Sequence, residues 1–231
     1  MPKFNFNELM QNIAVDDKVF KPNLTSQLSF EAAVSKVQNN FKVLDLGCGS
    51  GIIGIAIMKN FLHIEMHCSD LDDKSVKITK HNFLKYKLQA DIRNGNLFDP
   101  WGEKKFDYII NDVSGISSVI AIKSPWYSSS VPCDSGEDGS NLTSAIVKNA
   151  PTYLNKEGSI QIPLISLSNT KKIVEVGNIL PKSTVLEIGA GTGNLTEYIL
   201  KKKPKKLFII EKDEKLVEQL KERFDKKIHI I

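Results

Sequence analysis

Cysteine, arginine and long apolar runs are all scarce in this sequence of 231 residues. The three cysteines are odd in number and lack CxxC spacing, and the four histidines show no metal-ligand grouping, so neither a disulfide framework nor a metal site is expected. No apolar run approaches the roughly 18 residues that cross a bilayer, and the first residues contain no apolar signal core. The sequence therefore predicts a protein of the reducing cytoplasm without a membrane anchor.

Positive charge is concentrated near the end of the sequence. The net charge is +4, and residues 201–231 hold 11 Lys and Arg against 6 acidic residues. Only Arg93 and Arg223 are arginines, so few side chains are available for bidentate recognition of phosphate or guanine. The run Lys201–Lys206 is interpreted either as a nucleic-acid contact or as a solvated helix end, and the second interpretation is the commoner one.

Apolar segments and helical patterns alternate along the chain, which is typical of a parallel sheet with crossover helices. The predicted fold class is α/β, a Rossmann-like and mostly parallel sheet. Strands are predicted near 42–46, 63–69, 89–94, 106–111, 159–165, 183–188, 206–210 and 227–231, and helices over 29–38, 51–60, 72–85, 142–153, 169–179, 193–202 and 213–224. The segment 124–141, which contains Trp126 and Tyr127, is predicted to be a loop that either covers a site or is anchored in the core by its aromatic residues.

One phrase occurs twice in the sequence. Lys42–Gly51 reads KVLDLGCGSG and Thr184–Gly193 reads TVLEIGAGTG. Each phrase is followed by a helix, a strand and an acidic residue, Asp70 in the first copy and Glu211 in the second. A strand, a glycine loop, a helix and a second strand therefore recur together, which indicates an internal duplication of a nucleotide-binding half.

A glycine-rich turn between a strand and a helix lets backbone amides approach a ligand beside the positive end of the helix. Phosphates, dinucleotides and S-adenosylmethionine are all bound in this way. The first copy matches the dinucleotide pattern GxGxxG, but the second has Thr196 at the third glycine position. The pattern that both copies share is acid-x-Gly-x-Gly-x-Gly. The plainer alternative is that these glycines only make tight turns.

The shared pattern resembles the first motif of class I S-adenosylmethionine-dependent methyltransferases. The resemblance implies S-adenosyl-L-methionine as cofactor, with the first acid organising the methionine part, the acid after the second strand accepting the ribose hydroxyls, and the residues after the third strand contacting adenine. In the first copy these positions are Asp45, Gly47, Gly49, Gly51, Asp70, Asn96 and Leu97. The cofactor-like positions of the second copy are Glu187, Gly189, Gly191, Gly193 and Glu211.

Residues 19–178 resemble the small-domain methyltransferases, a group that includes the release-factor glutamine methyltransferases. That family ends its fourth strand with Asn-Pro-Pro-Tyr, whereas this sequence has Asn111-Asp112-Val113-Ser114. Asn111 and Asp112 are the candidate catalytic residues. Asp112 is interpreted either as a base or acceptor for an amine, or as a solvated acid at a strand end.

Residues 181–231 resemble the amino-terminal part of the ribosomal RNA adenine dimethyltransferases. The predicted domains are residues 1–180, a methyltransferase domain with an amino-terminal extension, and residues 181–231, a partial second βαβαβ unit. Because such a unit leaves a sheet edge unpaired, it is expected to pack on the first sheet or to complete it.

The predicted function is S-adenosylmethionine-dependent methyl transfer to a macromolecular acceptor, either protein or RNA. Two alternatives remain open. One is a catalytically silent module that binds S-adenosylmethionine or a partner, and the other is a remnant of a ribosomal RNA adenine N6-methyltransferase.

Overall fold

The computed structural model describes residues 5–17, 19–113, 116–123, 134–163, 170–177 and 179–230. These residues form two compact units. The first unit contains the described residues up to 113 together with 149–162. The second contains the described residues of 116–148 and those from 163 onward.

The first unit is built on a five-stranded parallel sheet with the strand order β3-β2-β1-β4-β5. Its strands are β1 Lys42–Leu46, β2 Glu65–Asp70, β3 Asp91–Asn94, β4 Phe106–Asn111 and β5 Leu154–Gln161. Its helices are α1 Phe6–Asn12, α2 Leu24–Val34, α3 Ile52–Asn60 and α4 Asp73–Lys85. The predicted α/β class with a mostly parallel sheet is thereby confirmed.

Apolar side chains from α3 and from the central strands make the core of the first unit. Val43 and Ile110, on two neighbouring strands, and Ile55 and Ile57, on α3, are fully buried. A strand that is covered on both faces has a nearly continuous apolar sequence, and KVLDL in β1 has this character, interrupted only by Asp45. Asp45, the acidic residue of this strand, is therefore buried near the carboxyl end of β1.

The second unit has a separate parallel sheet with the strand order β6-β7-β8. Its strands are β6 Thr184–Ile188, β7 Lys206–Ile210 and β8 His229–Ile230, and its helices are α5 Ser118–Ala121, α7 Thr170–Val176, α8 Asn194–Lys201 and α9 Glu214–Phe224. A further helix, α6 Asn141–Tyr153, begins in the second unit and ends in the first. Leu207, Ile209 and Leu220 are the most deeply buried side chains of the core of the second unit.

The sequence leads us to expect that the second copy packs on the first sheet or completes it. The hydrogen-bond pairing of its strands bears on this expectation. Among the described residues, β6, β7 and β8 pair with one another and not with β1–β5. Val174 of α7 is also buried in the core of the second unit, although the sequence assigns this helix to the first domain. The domain boundary at residue 180 stays a prediction.

Two elements begin earlier than the sequence predicts. Helix α2 starts at Leu24 rather than near residue 29, because the Asn23 side chain accepts a hydrogen bond from the Thr25 amide at 2.8 Å and so caps the helix. Strand β5 starts at Leu154 rather than at 159, because Leu154 already pairs with Phe106 before the register shifts to the pair Tyr108 and Ser159. The predicted covering loop with Trp126 and Tyr127 lies outside the described residues.

Candidate functional site

The acidic and amide residues singled out in the first copy meet at one edge of the first sheet. Asp45 lies in β1, Asp70 ends β2 and Asn111 ends β4, and β2 and β4 flank β1 on either side. Because all three strands are parallel, their carboxyl ends lie at the same edge. The glycine loop that follows β1 therefore lies between Asp70 and Asn111.

The loop from Gly47 to Gly51 has glycine at three positions that recur in the second copy, and the backbone conformation favours glycine at each of them. All three glycines have positive φ, at +79°, +55° and +77°. A Cβ on Gly47 would collide with the Val113 side chain, and one on Gly51 would come within 2.8 Å of Thr79. A Cβ on Gly49 would meet no atom within 4 Å. The backbone at Gly49 thus borders open space, as a ligand cradle requires.

Asp70 is bound to this loop. Its carboxylate accepts a hydrogen bond from the Gly49 amide at 2.9 Å and another from the Asp72 amide at 2.9 Å. Burial raises the pKa of Asp70, and these amide hydrogen bonds oppose the shift. The acid expected at the end of the second strand is therefore in place beside the glycine at which the loop is open.

Asp45 is almost completely buried, with 1% of its surface exposed. One carboxylate oxygen accepts a hydrogen bond from the Gly54 amide at 3.2 Å, and the other, Oδ1, has no hydrogen-bond partner among the described residues. Burial raises the pKa of Asp45 to about 7, and the negative charges of Asp112 and Asp70 add to the shift. An unpartnered carboxylate oxygen in such a position is costly unless a ligand donates to it.

Asn111 also has a buried polar atom without a hydrogen-bond partner among the described residues. It is 1% exposed, and its Oδ1 accepts a hydrogen bond from the Val113 amide at 3.2 Å. Its Nδ2 is buried and has no acceptor among the described residues. The amide nitrogen at the end of β4 is thus an unused donor.

Asp112 is turned toward α2. Its carboxylate accepts hydrogen bonds from the hydroxyls of Ser26 at 3.3 Å and Ser29 at 3.2 Å. Burial raises the pKa of Asp112 to about 6, and the two serines oppose the shift. The sequence interpretation missed these serines, because both lie more than 80 positions from Asp112 in the sequence.

Asn96 and Leu97 lie in the turn after β3. The Gly95 amide donates to the Asp70 carbonyl at 3.0 Å, which fixes this turn to the end of β2. Asn96 is exposed, and Leu97 has a φ of +46°, which is rare for a residue with a branched side chain. The turn expected at the adenine position therefore holds an unusual backbone conformation next to the Asp70 segment.

The second copy repeats the loop geometry in the second unit. Gly189, Gly191 and Gly193 have φ of +70°, +56° and +83°. The Glu211 carboxylate accepts a hydrogen bond from the Gly191 amide at 2.9 Å, the same contact that Asp70 makes with Gly49. Glu187 is buried, and its carboxylate accepts a hydrogen bond from the Thr196 hydroxyl at 2.8 Å.

The second copy differs from the first in the surroundings of its glycine loop. Burial raises the pKa of Glu187 to about 7. A Cβ on Gly189 would meet no atom within 4 Å, whereas its counterpart Gly47 is covered by Val113. Within the described residues the second loop follows β6, an edge strand of a three-stranded sheet, whereas the first follows β1, the central strand of a five-stranded sheet.

The described residues contain neither a cluster of metal-ligating side chains nor a membrane-spanning helix. No three His, Cys, Asp or Glu side chains come together there as a possible metal site. None of the described helices has the length and apolar character that crossing a membrane requires.

Two family models match the sequence, one over each copy. Residues 25–112 match the model described as the methyltransferase small domain. Residues 163–231 match the model described as ribosomal RNA adenine dimethylase. The two matches confirm the two sequence resemblances and lie in the same order along the chain.

Curated relatives carry the names of both families. A stretch of 68 residues is 57% identical to the ribosomal RNA small subunit methyltransferase A of Pelagibacter ubique, covering 29% of this chain and 26% of that protein. A stretch of 157 residues is 26% identical to the release factor glutamine methyltransferase of Geobacter sulfurreducens, covering 66% of this chain and 55% of that protein. A bifunctional methyltransferase of Rickettsia prowazekii is 28% identical over 177 residues, covering 73% of this chain and 34% of that protein. The chain thus spans about half or less of the length of these relatives.

Solved structures share the fold. A methyltransferase from Pyrococcus furiosus superposes with a TM-score of 0.52 at 15% identity, covering 72% of this chain and 76% of that one. A T. thermophilus 16S rRNA methyltransferase in complex with AdoMet and guanosine superposes with a TM-score of 0.50 at 19% identity, covering 67% of this chain and 38% of that one. These similarities show a Rossmann-like fold.

Proposed function

Because both matched segments of the chain are class I S-adenosylmethionine methyltransferase sequences, we propose that the protein transfers a methyl group from S-adenosylmethionine to a macromolecular acceptor, with the cofactor held at the first glycine loop. The observation that carries this proposal is the pair of buried, unpartnered polar atoms at neighbouring strand ends, Asp45 Oδ1 and Asn111 Nδ2. Each unsatisfied group costs about 1–3 kcal/mol, which a ligand with matching donors and acceptors offsets.

The residues present fit this cofactor. S-adenosylmethionine carries an ammonium group, two ribose hydroxyls and an adenine ring. Asp45 would hold the methionine end, Asp70 would accept from the ribose hydroxyls, and Asn96 and Leu97 would contact adenine. The open backbone at Gly49 leaves room for the ligand against the loop. We assign the main cofactor site to the first copy because more of the surrounding sheet is present there, and a primarily structural role to the second copy.

The cofactor supplies an activated methyl group, so the protein chiefly contributes alignment and an environment without water. Asn111 has an unused hydrogen-bond donor, Nδ2, at the place where the molecule to be methylated would bind. We therefore assign Asn111 to orienting that molecule. Asp112 is half-buried and bound to two serines, so its contribution is to hold the end of β4 rather than to remove a proton.

The proposed acceptor is a protein or an RNA in the cytoplasm. Relatives of the first segment are named for methylating glutamine in a release factor, and the relative of the second segment for methylating ribosomal RNA. The glutamine enzymes resembled by the first segment use two prolines and an aromatic residue after the strand-end asparagine. Since Asp112, Val113 and Ser114 replace them, we do not carry glutamine over as the acceptor.

A second candidate function is a module that binds S-adenosylmethionine without transferring the methyl group. Two contacts favour it. Asp112 is engaged by Ser26 and Ser29, and the Val113 side chain covers Gly47 at the mouth of the loop. Both contacts are made by residues that stand where the resembled family has its two prolines.

Incubating the protein with methyl-labelled S-adenosylmethionine and cell extract distinguishes these functions. We expect label in the macromolecular fraction, removed by either ribonuclease or protease, and we expect Asn111→Ala to lower incorporation while cofactor affinity is kept. The Asp70→Ala variant gives the background. Cofactor binding without incorporation above that background would contradict transfer and support the silent module.

A further inference from the structure

A strongly basic cleft lies in the second unit. Its volume is about 690 Å³, and it is lined by the end of α8, the following loop, the start of β7, the end of α9 and β8. The lysine run 201–206, interpreted from the sequence either as a nucleic-acid contact or as a solvated helix end, is therefore only one wall of a concave surface. The opposite wall comes from residues 223–229, more than 15 positions further along the chain.

The charges of this cleft are not balanced. Glu197 is the one carboxylate in its lining, and it is already paired with Lys201 at 2.8 Å and with Arg223. The lysines of the lining that have no ion pair among the described residues are Lys203, Lys205, Lys206, Lys226 and Lys227. All five are exposed. Two chain segments thus place five unpaired ammonium groups around one cavity.

The cleft is separate from the second glycine loop. Lys206 begins β7, whereas Glu211, the acid that contacts the loop, follows the other end of the same strand. Arg223 connects the two places, because its guanidinium donates to the Thr192 carbonyl of the loop at 2.7 Å and also reaches Glu197. The cleft and the contact of Glu211 with the loop thus lie at opposite ends of β7.

We propose that this cleft binds the phosphate backbone of a single-stranded nucleic acid. The lysine ammonium groups suit phosphate contacts that do not depend on sequence. His229 is exposed in the lining, with its ring centroid 5.2 Å from that of Phe208, so an aromatic surface on which a base can stack lies beside the charges. This inference does not rest on the proposed methyl transfer.

An acidic membrane is the competing ligand for these lysines, but the positions of the exposed apolar side chains of the protein do not favour it. The large exposed apolar side chains of the described residues are Val15, Leu24, Leu62, Leu71, Leu84, Ile122 and Leu180. None of them lines the cleft. No large exposed apolar side chain of the cleft could insert into a lipid surface, whereas a nucleic-acid strand can lie along a concave basic groove.

The test measures binding of a labelled single-stranded RNA of about 12 nucleotides by fluorescence anisotropy, without cofactor and over a range of salt concentrations. The cleft variant combines Lys205→Gln, Lys226→Gln and Lys227→Gln. The matched control combines Lys36→Gln, Lys74→Gln and Lys80→Gln, three exposed lysines of the first unit that have no ion pair among the described residues. Thermal unfolding of each variant checks that the fold is kept.

We expect the cleft variant to bind about 100-fold more weakly near 0.1 M salt and to lower the salt slope by about 2, as the loss of three phosphate contacts to a single strand requires. The control should bind as the parent does. Equal binding by all three proteins, equal weakening in both variants, or an absence of RNA binding by the parent would overturn the proposal. Cleft-dependent binding to phosphatidylserine vesicles in place of RNA would overturn it in favour of a lipid surface. Because the assay contains no S-adenosylmethionine, its outcome is separate from that of the methyl-transfer assay.

Discussion

The Ser29 hydroxyl donates a hydrogen bond to the Asp112 carboxylate at 3.2 Å, which joins α2 to the end of β4. Ser26, one helical turn earlier, donates to the other carboxylate oxygen at 3.3 Å. The two serines together hold a half-buried carboxylate at the place where the resembled methyltransferases have a proline. The position of α2 beside the candidate site is therefore tied to Asp112.

Removing both serines should destabilise the first unit. We expect the double variant Ser26→Ala, Ser29→Ala to lower the free energy of unfolding by about 1–3 kcal/mol, because a carboxylate then loses its hydrogen-bond donors. Added to Asp112→Asn, the same change should have a smaller effect, since the residues act as one group. Urea unfolding measures this, with Ser35→Ala at the end of the same helix as control. Strictly additive effects would show that the serines do not act through Asp112.

Stability should fall as the pH rises from about 4 to about 7. Burial raises the pKa of Asp45 to about 7 and that of Asp112 to about 6, so the folded state binds protons more tightly than the unfolded state, in which ordinary Asp values near 3.9 apply. The stabilising protonated form is therefore lost across this interval, with a slope of up to about 1.4 kcal/mol per pH unit for each group. Unfolding at several pH values tests this, and Asp45→Asn should flatten the curve. Stability that is constant or rises with pH over this interval would contradict the assignment.

Asp70 and Glu211 form a matched pair for testing cofactor affinity, because each accepts from the middle glycine of its loop at 2.9 Å. Asp70→Ala should weaken S-adenosylmethionine binding by about 1.5–3 kcal/mol, as expected when a charged acceptor is removed. Glu211→Ala should leave the affinity of the main site unchanged. Titration calorimetry on both variants provides the comparison, and an unchanged affinity in Asp70→Ala would remove Asp70 from the site.

Alanine at two glycines of the first loop should separate a structural effect from a binding effect. Gly47→Ala forces a Cβ against Val113, so we expect the larger loss of stability there, about 1–3 kcal/mol. Gly49→Ala places its Cβ in open space, so it should lower the free energy of unfolding less than Gly47→Ala does. It should weaken the affinity for the cofactor more than Gly47→Ala does. Thermal unfolding and calorimetry on both variants measure the two effects. Gly49→Ala with full affinity would show that the open space at the loop is not used.

The local part of the candidate site could be predicted from the sequence, and its long-range contacts could not. The glycine loop, Asp45 and Asp70 belong to one strand-loop-helix-strand unit whose pattern is written within about thirty residues. The contact between Ser29 and Asp112 joins residues 83 positions apart, so no local pattern announces it. The pairing of strands from distant segments, such as β4 with β1, depends in the same way on tertiary structure.

The stoichiometry of S-adenosylmethionine binding tests the central assignment most directly, measured on the parent, Gly49→Asp and Gly191→Asp. Both glycines have positive φ, which aspartate tolerates better than most residues, and at both positions the new side chain enters open space. The added carboxylate should therefore block its loop without unfolding the unit. We predict one main site in the parent that is lost in Gly49→Asp and kept in Gly191→Asp. A site lost in Gly191→Asp and kept in Gly49→Asp would contradict the account.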